Sequence, residues 1–378
     1  MFSTLIYVGR FQPPHNGHFA TIRKALEQTE RLLLFIGSHE VCRSLRNPFT
    51  TEERIEMLKI PLTSDELKKI TFIPIHDSNY NCREWVGDVI VKTRHALSQL
   101  ALSQLALSQL ALSQLSTLNS QLSTPSQTAI IGHKKDGTSY YLDMFPEWEF
   151  LGMPLLENGL SSTEIRKKWF SAALTEQDKI PLTVYSYLKN KESEEWAKIQ
   201  KEEYKLVEEY KKEWSSTPYP PVFVAGDALV VCQEHILLIK RGAFPGKGLF
   251  AMAGGFLDSG EPVRHCAIRE LIEETGIGLS YRELDKSIKG YRVFDDPNRE
   301  PRGRMISHTY LFNLQTPALP NIKAADDASE ALWFPLKDLE KIRSQFAGDH
   351  YKIIMNMLNT TLNSQLSTLN SQLSTLNS

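Results

Sequence analysis

Three glutamates in the second half of the chain have the spacing that metal-dependent chemistry requires. Glu270, Glu273 and Glu274 lie at positions i, i+3 and i+4 of the stretch RELIEET, so on an α-helix their carboxylates share one face. Like charges this close repel each other unless cations lie among them, and hard oxygen ligands favour Mg²⁺ or Mn²⁺. Such ions can bridge a pyrophosphate and activate water for attack on phosphorus. A solvated charged helix is the alternative, although acids outnumber bases on this face.

Two histidines form a second group with chemical potential. His15 and His18 follow a short apolar run in the stretch LIYVGRFQPPHNGH, which predicts a buried strand, a turn and a helix beginning near Gly17. Gly9 and Gly17 allow close backbone approach, and the N–H groups at the helix N-terminus suit phosphate. The histidines can donate hydrogen bonds to the same anion, and Arg10 offers a planar fork for its oxygens. A capped helix end with satisfied histidines, or a metal site, is the alternative.

The apolar pattern indicates which elements position these groups. Short β-rich runs alternate with helical patterns over residues 1–95 and 128–190, which predicts a parallel sheet with crossover helices. Ligands bind such a sheet at the carboxyl ends of its strands. The regular Glu/Lys pairing of residues 191–214 predicts a solvated helix that joins two domains. Residues 222–358 predict a second domain, strand-rich at first, with a strong helix at about 262–275.

Two low-complexity stretches interrupt this organisation. ALSQL occurs four times over residues 96–115, and STLNSQLST occurs at both 116–124 and 367–375. A five-residue period winds the leucines around a helix and aligns them in no single stripe. We expect a disordered or loosely helical insertion and tail, with an association helix as the alternative. The predicted parts of the chain are therefore residues 1–190 with an insertion at 96–127, a linker at 191–217, residues 218–358, and a tail at 359–378.

Composition narrows the classes of partner. A formal net charge of −2 over 378 residues argues against nucleic acid or an anionic membrane as a partner. The four cysteines lie far apart without CxxC spacing, which argues against a disulfide framework or a zinc site and for a reducing cytosol. The sequence has no window of 18 uncharged apolar residues and no secretion signal. We therefore expect a cytoplasmic protein, with a homo-oligomer left open.

The N-terminal motifs resemble those of a known enzyme family. GRFQPPHNGH resembles the HxGH signature of the nucleotidyltransferase superfamily and, more narrowly, the archaeal-type nicotinamide mononucleotide adenylyltransferases. RNPFTTEER (46–54), GHKKD (132–136) and LSSTEIR (160–166) resemble further motifs of that family. The resemblance implies a Rossmann-like parallel sheet in an α/β domain. It also implies that the phosphate of nicotinamide mononucleotide attacks the α-phosphorus of ATP in line, with Mg²⁺ on the triphosphate and no protein nucleophile.

The same resemblance implies roles for individual residues. The ATP phosphates would be held by His15, His18, Arg10, Arg46 and Arg166. Further substrate contacts are implied for Gly9, Gly17, Gly132, Lys134, Asp136, Ser162 and Thr163. Ser162 or Thr163 is also typical of an ordinary helix cap. Trp85 is interpreted either as a stacking partner of the nicotinamide ring or as a core residue.

The acidic helix belongs to a second resemblance. GGFLDSGEPVRHCAIRELIEETGIG (254–278) resembles the Nudix box with every fixed position filled, which implies an α/β/α Nudix domain. Its metal ligands would be Glu270, Glu273 and Glu274 with the carbonyl of Gly255, and Glu261 would pair with Arg269 to hold the loop against the helix. Either Glu273 or Glu274 could act as the base, and the sequence does not decide between them.

The two resemblances together predict a bifunctional enzyme of NAD metabolism. The N-terminal domain would make NAD from ATP and nicotinamide mononucleotide, and the C-terminal domain would hydrolyse ADP-ribose to AMP and ribose 5-phosphate. Arg299, Arg302 and Arg304 resemble a loop of Nudix enzymes that act on ADP-ribose, with a surface ion-pair loop as the alternative. Two other functions stay open: a regulatory Nudix module that only binds ADP-ribose, and an N-terminal domain that adenylylates another phosphate acceptor.

Overall fold

The chain divides into two compact units. The computed structural model describes residues 2–77, 80–109, 128–134, 137–154 and 161–360. Unit 1 comprises Met1–Glu40 and Arg46–Lys198, and unit 2 comprises Val41–Leu45 and Ile199–Ser378. Within the described residues, no helix combines the length and apolar character that crossing a membrane requires.

A parallel sheet of five strands forms the centre of unit 1, in the order β3-β2-β1-β4-β5. The apolar runs become buried strands because both faces of the sheet are covered. This confirms the predicted α/β class; the short strand β5 has no clear apolar run and was not predicted. The strands are β1 (Phe2–Gly9), β2 (Thr29–Ile36), β3 (Ile70–Pro74), β4 (Thr128–Gly132) and β5 (Glu149–Gly152).

The helices of unit 1 connect these strands and follow the last of them. The chain runs from β1 outward through β2 and β3, then returns to the other side of β1 with β4. The strand order therefore reverses between β1 and β4, and this switch point is where open parallel sheets bind ligands. The helices are α1 (Asn16–Leu26), α2 (Thr51–Lys59), α3 (Ser64–Lys68), α4 (Cys82–Gln109), α5 (Ser162–Phe170) and α6 (Leu182–Lys191), with a 3₁₀ helix at Gly137–Met144.

The first part of the repeat insertion continues a regular helix. Helix α4 begins at Cys82 and extends through the ALSQL repeats to Gln109. Of the two expected forms of the insertion, disordered or loosely helical, residues 96–109 have the helical one. Alanine, leucine and glutamine are strong helix formers, and a helix already nucleated upstream extends at little cost. The rest of the insertion, 110–127, and residues 361–378 of the tail lie outside the described residues.

The charged linker is helical but not fully solvated. It forms helix α7 (Glu195–Glu213), which a short break separates from α6. Ala197, Gln200, Glu203 and Val207 are buried at helical spacing, so one face of α7 is covered. The prediction of a solvated helix is correct in its helical structure and wrong for this buried face. The sequence did not indicate the face because charged residues dominate the composition and apolar positions are few.

Unit 2 contains a mixed sheet of seven strands. Its main path is β10-β11-β6-β7-β12, with β8 on β7 and β9 on β6; only β6 and β11 pair in parallel. The strands are β6 (Val222–Cys232), β7 (His235–Arg241), β8 (Phe250–Ala251), β9 (Ala253–Phe256), β10 (Ile288–Phe294), β11 (Arg304–Leu314) and β12 (Ala328–Pro335). The helices are α8 (Val263–Thr275), α9 (Tyr281–Ser287) and α10 (350–360), with a 3₁₀ helix at Leu336–Gln345.

Helix α8 carries the predicted acids and packs closely on the sheet. Ala267, Ile268 and Leu271 are fully buried in the core of unit 2. A Cβ atom at Gly226 of β6 would lie 2.8 Å from the backbone nitrogen of Ala267, so glycine is required for this approach. The helix ends at Gly276, whose φ of 51° gives a left-handed cap.

Candidate active sites

His15 and His18 cap helix α1 at the switch point of unit 1. The Nδ1 atom of His15 accepts a hydrogen bond from the Gly17 backbone N–H at 3.2 Å, and Nδ1 of His18 accepts from the His15 N–H at 3.1 Å. The two rings stack with centroids 3.8 Å apart. Since both Nδ1 atoms accept, the proton of each neutral ring lies on Nε2. The capping alternative therefore applies to Nδ1 of each ring. Nε2 carries the N–H group, which is a type of donor that suits phosphate.

The backbone before the histidines is packed too closely for a side chain. A Cβ atom at Gly9 would lie 2.6 Å from the ring of Phe11, which is 1% exposed. The aromatic ring fills the space beside the end of β1 and holds the following turn. Gly9 thus serves the close packing of the turn.

Arg10, Arg46 and Arg166 form a group of cations in unit 1. Burial and, to a smaller extent, the positive charges of Arg10 and Arg46 lower the pKa of Arg166 to about 9. Arg166 is fixed by hydrogen bonds to the backbone oxygen of Gln12 at 2.7 Å and to Oγ1 of Thr163 at 3.1 Å. Cations that repel one another in a buried setting gain most from a bound polyanion. The arrangement fits a nucleotide triphosphate.

Helix α5 is hydrogen-bonded to the loop that precedes the histidines. Ser162 donates from Oγ to the Pro13 carbonyl at 3.0 Å. The cap itself is Ser161, whose side chain accepts from the Thr163 N–H at 3.2 Å. The expectation that Ser162 or Thr163 caps the helix is wrong by one residue, because adjacent serines are equivalent cap formers in sequence. Ser162 is thereby free of the capping role and ties α5 to the loop.

Arg54 is a positioning residue that the sequence did not single out. Its side chain is fully buried and donates to the carbonyl oxygens of Arg10 at 2.7 Å, Gly37 at 2.5 Å and Ser38 at 3.0 Å. Helix α2 thus fixes the loops that follow β1 and β2. The motif RNPFTTEER contained this residue, but an arginine that is buried in the fold looks like any surface arginine in the sequence.

The loop after β4 carries the remaining motif residues of this unit. Gly132 ends the strand, and a Cβ atom there would lie 3.3 Å from Leu142. Lys134 is exposed and donates to Asp143 at 2.5 Å. His133, which was not singled out, contacts Thr21 of α1 through Nε2 at 3.0 Å and so links β4 to α1. Asp136 lies outside the described residues.

Trp85 packs against the core of unit 1. Its ring contacts Tyr141 and Phe145 edge-on, with centroids 5.7 Å and 5.9 Å apart. It borders the cluster that contains Val89 and Ile130. This placement agrees with the core interpretation.

In unit 2, Glu270 and Glu274 are buried and Glu273 is exposed. Glu274 accepts a hydrogen bond from the Gly254 N–H at 2.9 Å, and burial raises its pKa to about 8. A Cβ atom at Gly255 would lie 2.4 Å from Oε1 of Glu270, so this carboxylate lies directly against the β9 backbone. Two buried carboxylates on one helix face resist ionisation because burial removes the water that stabilises their charged form.

Arg269 connects the acids of the helix to the loop before it. Its guanidinium donates to Glu261 at 2.6 Å, to Glu270 at 2.8 Å and to Glu273 at 2.8 Å. It also donates to the Phe256 carbonyl at 3.2 Å. The predicted Glu261–Arg269 contact is present, and it lowers the pKa of Glu261. One arginine thus orients two of the three candidate ligands.

The donor set of this site fits a divalent metal ion. Glu270, Glu273 and Glu274 supply hard carboxylate oxygens, and the Gly255 carbonyl lies on the adjacent strand β9. Burial raises the pKa of both Glu270 and Glu274, and a doubly charged cation would relieve that penalty. Glu270, Glu273, Glu274 and Gly255 would hold the ion.

The three arginines of the predicted cluster are each paired with an acid. Arg299 and Asp349 form a buried ion pair with a shortest distance of 3.1 Å. Arg302 pairs with Glu300 at 2.8 Å and lies 4.9 Å from the ring centroid of Phe256. Arg304 contacts Asp295 at 3.4 Å. Arg302 and Arg304 have the ion pairs of the surface-loop alternative, whereas the pair of Arg299 is buried.

Both units match known domain families. The cytidylyltransferase-like family matches residues 6–168, and the NUDIX domain family matches residues 223–357. Unit 1 is therefore a nucleotidyltransferase-like domain and unit 2 is a Nudix domain, as the motifs predicted. Nudix hydrolases use divalent metal ions.

Relatives of each half, and of the whole, carry names that match this division. A nicotinamide/nicotinic acid mononucleotide adenylyltransferase from Acinetobacter baylyi is 31% identical over 46% of this chain and 79% of its own length. An ADP-ribose pyrophosphatase from Methanocaldococcus jannaschii is 41% identical over 36% of this chain and 72% of its own. The crystal structure of a bifunctional NMN adenylyltransferase/ADP ribose pyrophosphatase from Francisella tularensis, complexed with AMP and a manganese ion, has a TM-score of 0.82 and 31% identity. It covers 95% of this chain and 99% of that one. The chain belongs to the family of bifunctional NMN adenylyltransferase/ADP-ribose pyrophosphatases.

Proposed function

We propose that unit 1 transfers the adenylyl group of ATP to nicotinamide mononucleotide, giving NAD and pyrophosphate. The observation that carries this proposal is the cation group of Arg10, Arg46 and Arg166 beside the capped N-terminus of α1. A phosphate oxygen of the mononucleotide attacks the α-phosphorus of ATP, and the bond to the bridging oxygen breaks as pyrophosphate leaves. The arginines and the N–H groups of His15 and His18 neutralise charge that shifts to the leaving group.

We propose that unit 2 hydrolyses ADP-ribose to AMP and ribose 5-phosphate. Water attacks one phosphorus of the diphosphate, the bridging P–O bond breaks, and the proton of the water passes to a carboxylate or to solvent. Glu274 is buried and held by the Gly254 N–H, whereas Glu273 is exposed and held by Arg269; either remains the candidate base. Mg²⁺ bound by these carboxylates would polarise the diphosphate.

A regulatory module that only binds ADP-ribose is the weaker candidate for unit 2. Such a module has no need of a complete set of carboxylates held in place by Arg269 and by the β9 backbone.

The proposal places the protein in a reducing cytosol with ATP, nicotinamide mononucleotide and ADP-ribose as its partners, and its four cysteines are free thiols.

One assay with two readouts tests both activities. Purified full-length protein is incubated with Mg²⁺ and either ATP plus nicotinamide mononucleotide or a panel of ADP-ribose, NADH and diadenosine polyphosphates. We expect NAD in the first reaction and AMP from ADP-ribose in the second, separated by chromatography. Absence of NAD would refute the first assignment, and preference for another member of the panel would refute the second.

A further inference from the structure

Three metal-ligating side chains meet where β2 and β3 end in unit 1. One donor atom from each of His39, Glu40 and His76 lies within 4.8 Å of the others. Nε2 of His39 is 3.7 Å from Oε1 of Glu40, and Nε2 of His76 is 3.7 Å from Oε2. These distances exceed a direct N–H···O hydrogen bond. Two ligands bound at about 2.1 Å with a tetrahedral angle lie about 3.4 Å apart, so the spacing suits an ion between them.

In both histidines the second ring nitrogen, Nδ1, has a hydrogen bond that orients the ring. Nδ1 of His76 lies 3.0 Å from the His39 carbonyl oxygen. A carbonyl only accepts, so Nδ1 of His76 carries the proton and Nε2 of the neutral ring presents a lone pair toward Glu40. Nδ1 of His39 is held by Oγ1 of Thr51 at 3.0 Å. A proton on Nε2 or a metal cation between the ring and the carboxylate removes the repulsion between this lone pair and Glu40. Outer hydrogen bonds of this kind orient metal-binding histidines.

The backbone that presents His39 and Glu40 is unusual and firmly held. Ser38 and Glu40 have φ values of 53° and 51°, a left-handed conformation that costs free energy in residues other than glycine. Asp77 accepts from the Ser38 N–H at 2.9 Å and from its hydroxyl at 2.5 Å, and Arg54 donates to the Ser38 carbonyl. The fold thus maintains a strained turn that brings His39 and Glu40 to His76.

We propose that His39, Glu40 and His76 form a second divalent-metal site, distinct from the carboxylate site of unit 2. Two imidazole nitrogens and one carboxylate select a transition ion such as Zn²⁺ over Mg²⁺. A three-ligand site of this composition keeps a fourth position open for water or a phosphate oxygen. The bound ion would tie the loop after β2 to the loop after β3 at the ligand-binding edge of the sheet. The cysteine spacing gave no sign of it, because the ligands are histidine and glutamate from two loops.

Zinc titration of the metal-free full-length protein tests this site. Wild type and the variants His39→Gln and His76→Gln are stripped with a chelator and titrated with Zn²⁺ in competition with a chromophoric chelator. His95→Gln, which changes an exposed histidine of α4, is the matched control. We expect either ligand variant to lose one equivalent of tight Zn²⁺ binding, with affinity lowered at least about 100-fold, and the control to keep it.

Zn²⁺ bound at the carboxylate site of unit 2 must be distinguished from Zn²⁺ bound at the proposed site. Glu274→Gln should keep the equivalent that His76→Gln loses. Co²⁺ should give the visible absorption of a low-coordinate nitrogen site in wild type and in Glu274→Gln but not in His76→Gln. Circular dichroism identifies a variant that fails to fold, and the other histidine variant then decides. Equal Zn²⁺ stoichiometry in wild type and a folded ligand variant, or equal loss in His95→Gln, would overturn the proposal.

Discussion

The variant Gly255→Ala tests how closely the acidic helix must approach strand β9. The new methyl carbon would lie 2.4 Å from Oε1 and 2.5 Å from the carboxyl carbon of Glu270. Since unstrained contacts begin at about 3.5 Å, the carboxylate must retreat by about 1 Å. A displacement of about 1 Å in a catalytic arrangement costs about 100-fold in rate. We expect kcat for ADP-ribose hydrolysis to fall about 100-fold while adenylyl transfer by unit 1 is unchanged.

Gly260→Ala is the matched control for this variant. A Cβ atom at Gly260 meets no heavy atom of the described residues within 4 Å, so the same chemical change is made in the same motif without a collision. AMP formation is measured by chromatography, and thermal melting checks that both variants are folded, since overpacking costs about 1–3 kcal/mol. If Gly255→Ala hydrolyses ADP-ribose at the wild-type rate, or if Gly260→Ala loses as much activity, the assigned role of the Glu270 position is refuted.

Three further predictions concern single side chains. His18→Ala should lower kcat for NAD synthesis by about 10²–10³-fold through loss of one phosphate donor and leave AMP formation from ADP-ribose intact; an unchanged NAD rate would contradict this. Glu274→Gln keeps an oxygen for the Gly254 N–H but removes the charge, so AMP formation should be lost and NAD synthesis retained; hydrolysis at the wild-type rate would exclude Glu274 as ligand or base. Burial raises the pKa of Glu203, so the unfolded chain loses this proton at a lower pH than the folded protein does. The free energy of unfolding therefore falls as pH rises above the ordinary pKa of glutamate. Urea unfolding at about pH 5 and pH 8 should show Glu203→Gln gaining stability relative to wild type at the higher pH, and equal differences at both would oppose this.

The sequence predicts the acidic site well because its ligands are local. Glu270, Glu273 and Glu274 share a helix face by spacing alone, and the Glu261–Arg269 contact joins neighbouring segments. The sequence could not tell that Glu270 and Glu274 are buried while Glu273 is exposed. That difference comes from how α8 approaches β9, which depends on Gly226 and Gly255 on two different strands.

Contacts between distant segments were the least predictable part of unit 1. Arg54 reaches carbonyls that precede it by up to 44 positions, and His39 and His76 meet only because β2 and β3 are neighbours in the sheet. The sequence neighbours of each of these residues are ordinary and do not indicate these contacts. Pattern and spacing predict elements and local motifs, whereas strand order decides which loops share an edge.

The two sites contain charges of opposite sign, arginines in unit 1 and glutamates in unit 2. The sign of the charge at each site determines the charge of the ligand that binds there. In unit 1, the charges of Arg10 and Arg46 add to burial in lowering the pKa of Arg166, so the fold maintains repulsion that an anion relieves. In unit 2, burial and the neighbouring Glu270 raise the pKa of Glu274, so the fold maintains repulsion that a cation relieves. A ligand that relieves such repulsion binds the folded state preferentially and stabilises it. A polyphosphate without metal should therefore stabilise unit 1, and Mg²⁺ without nucleotide should stabilise unit 2.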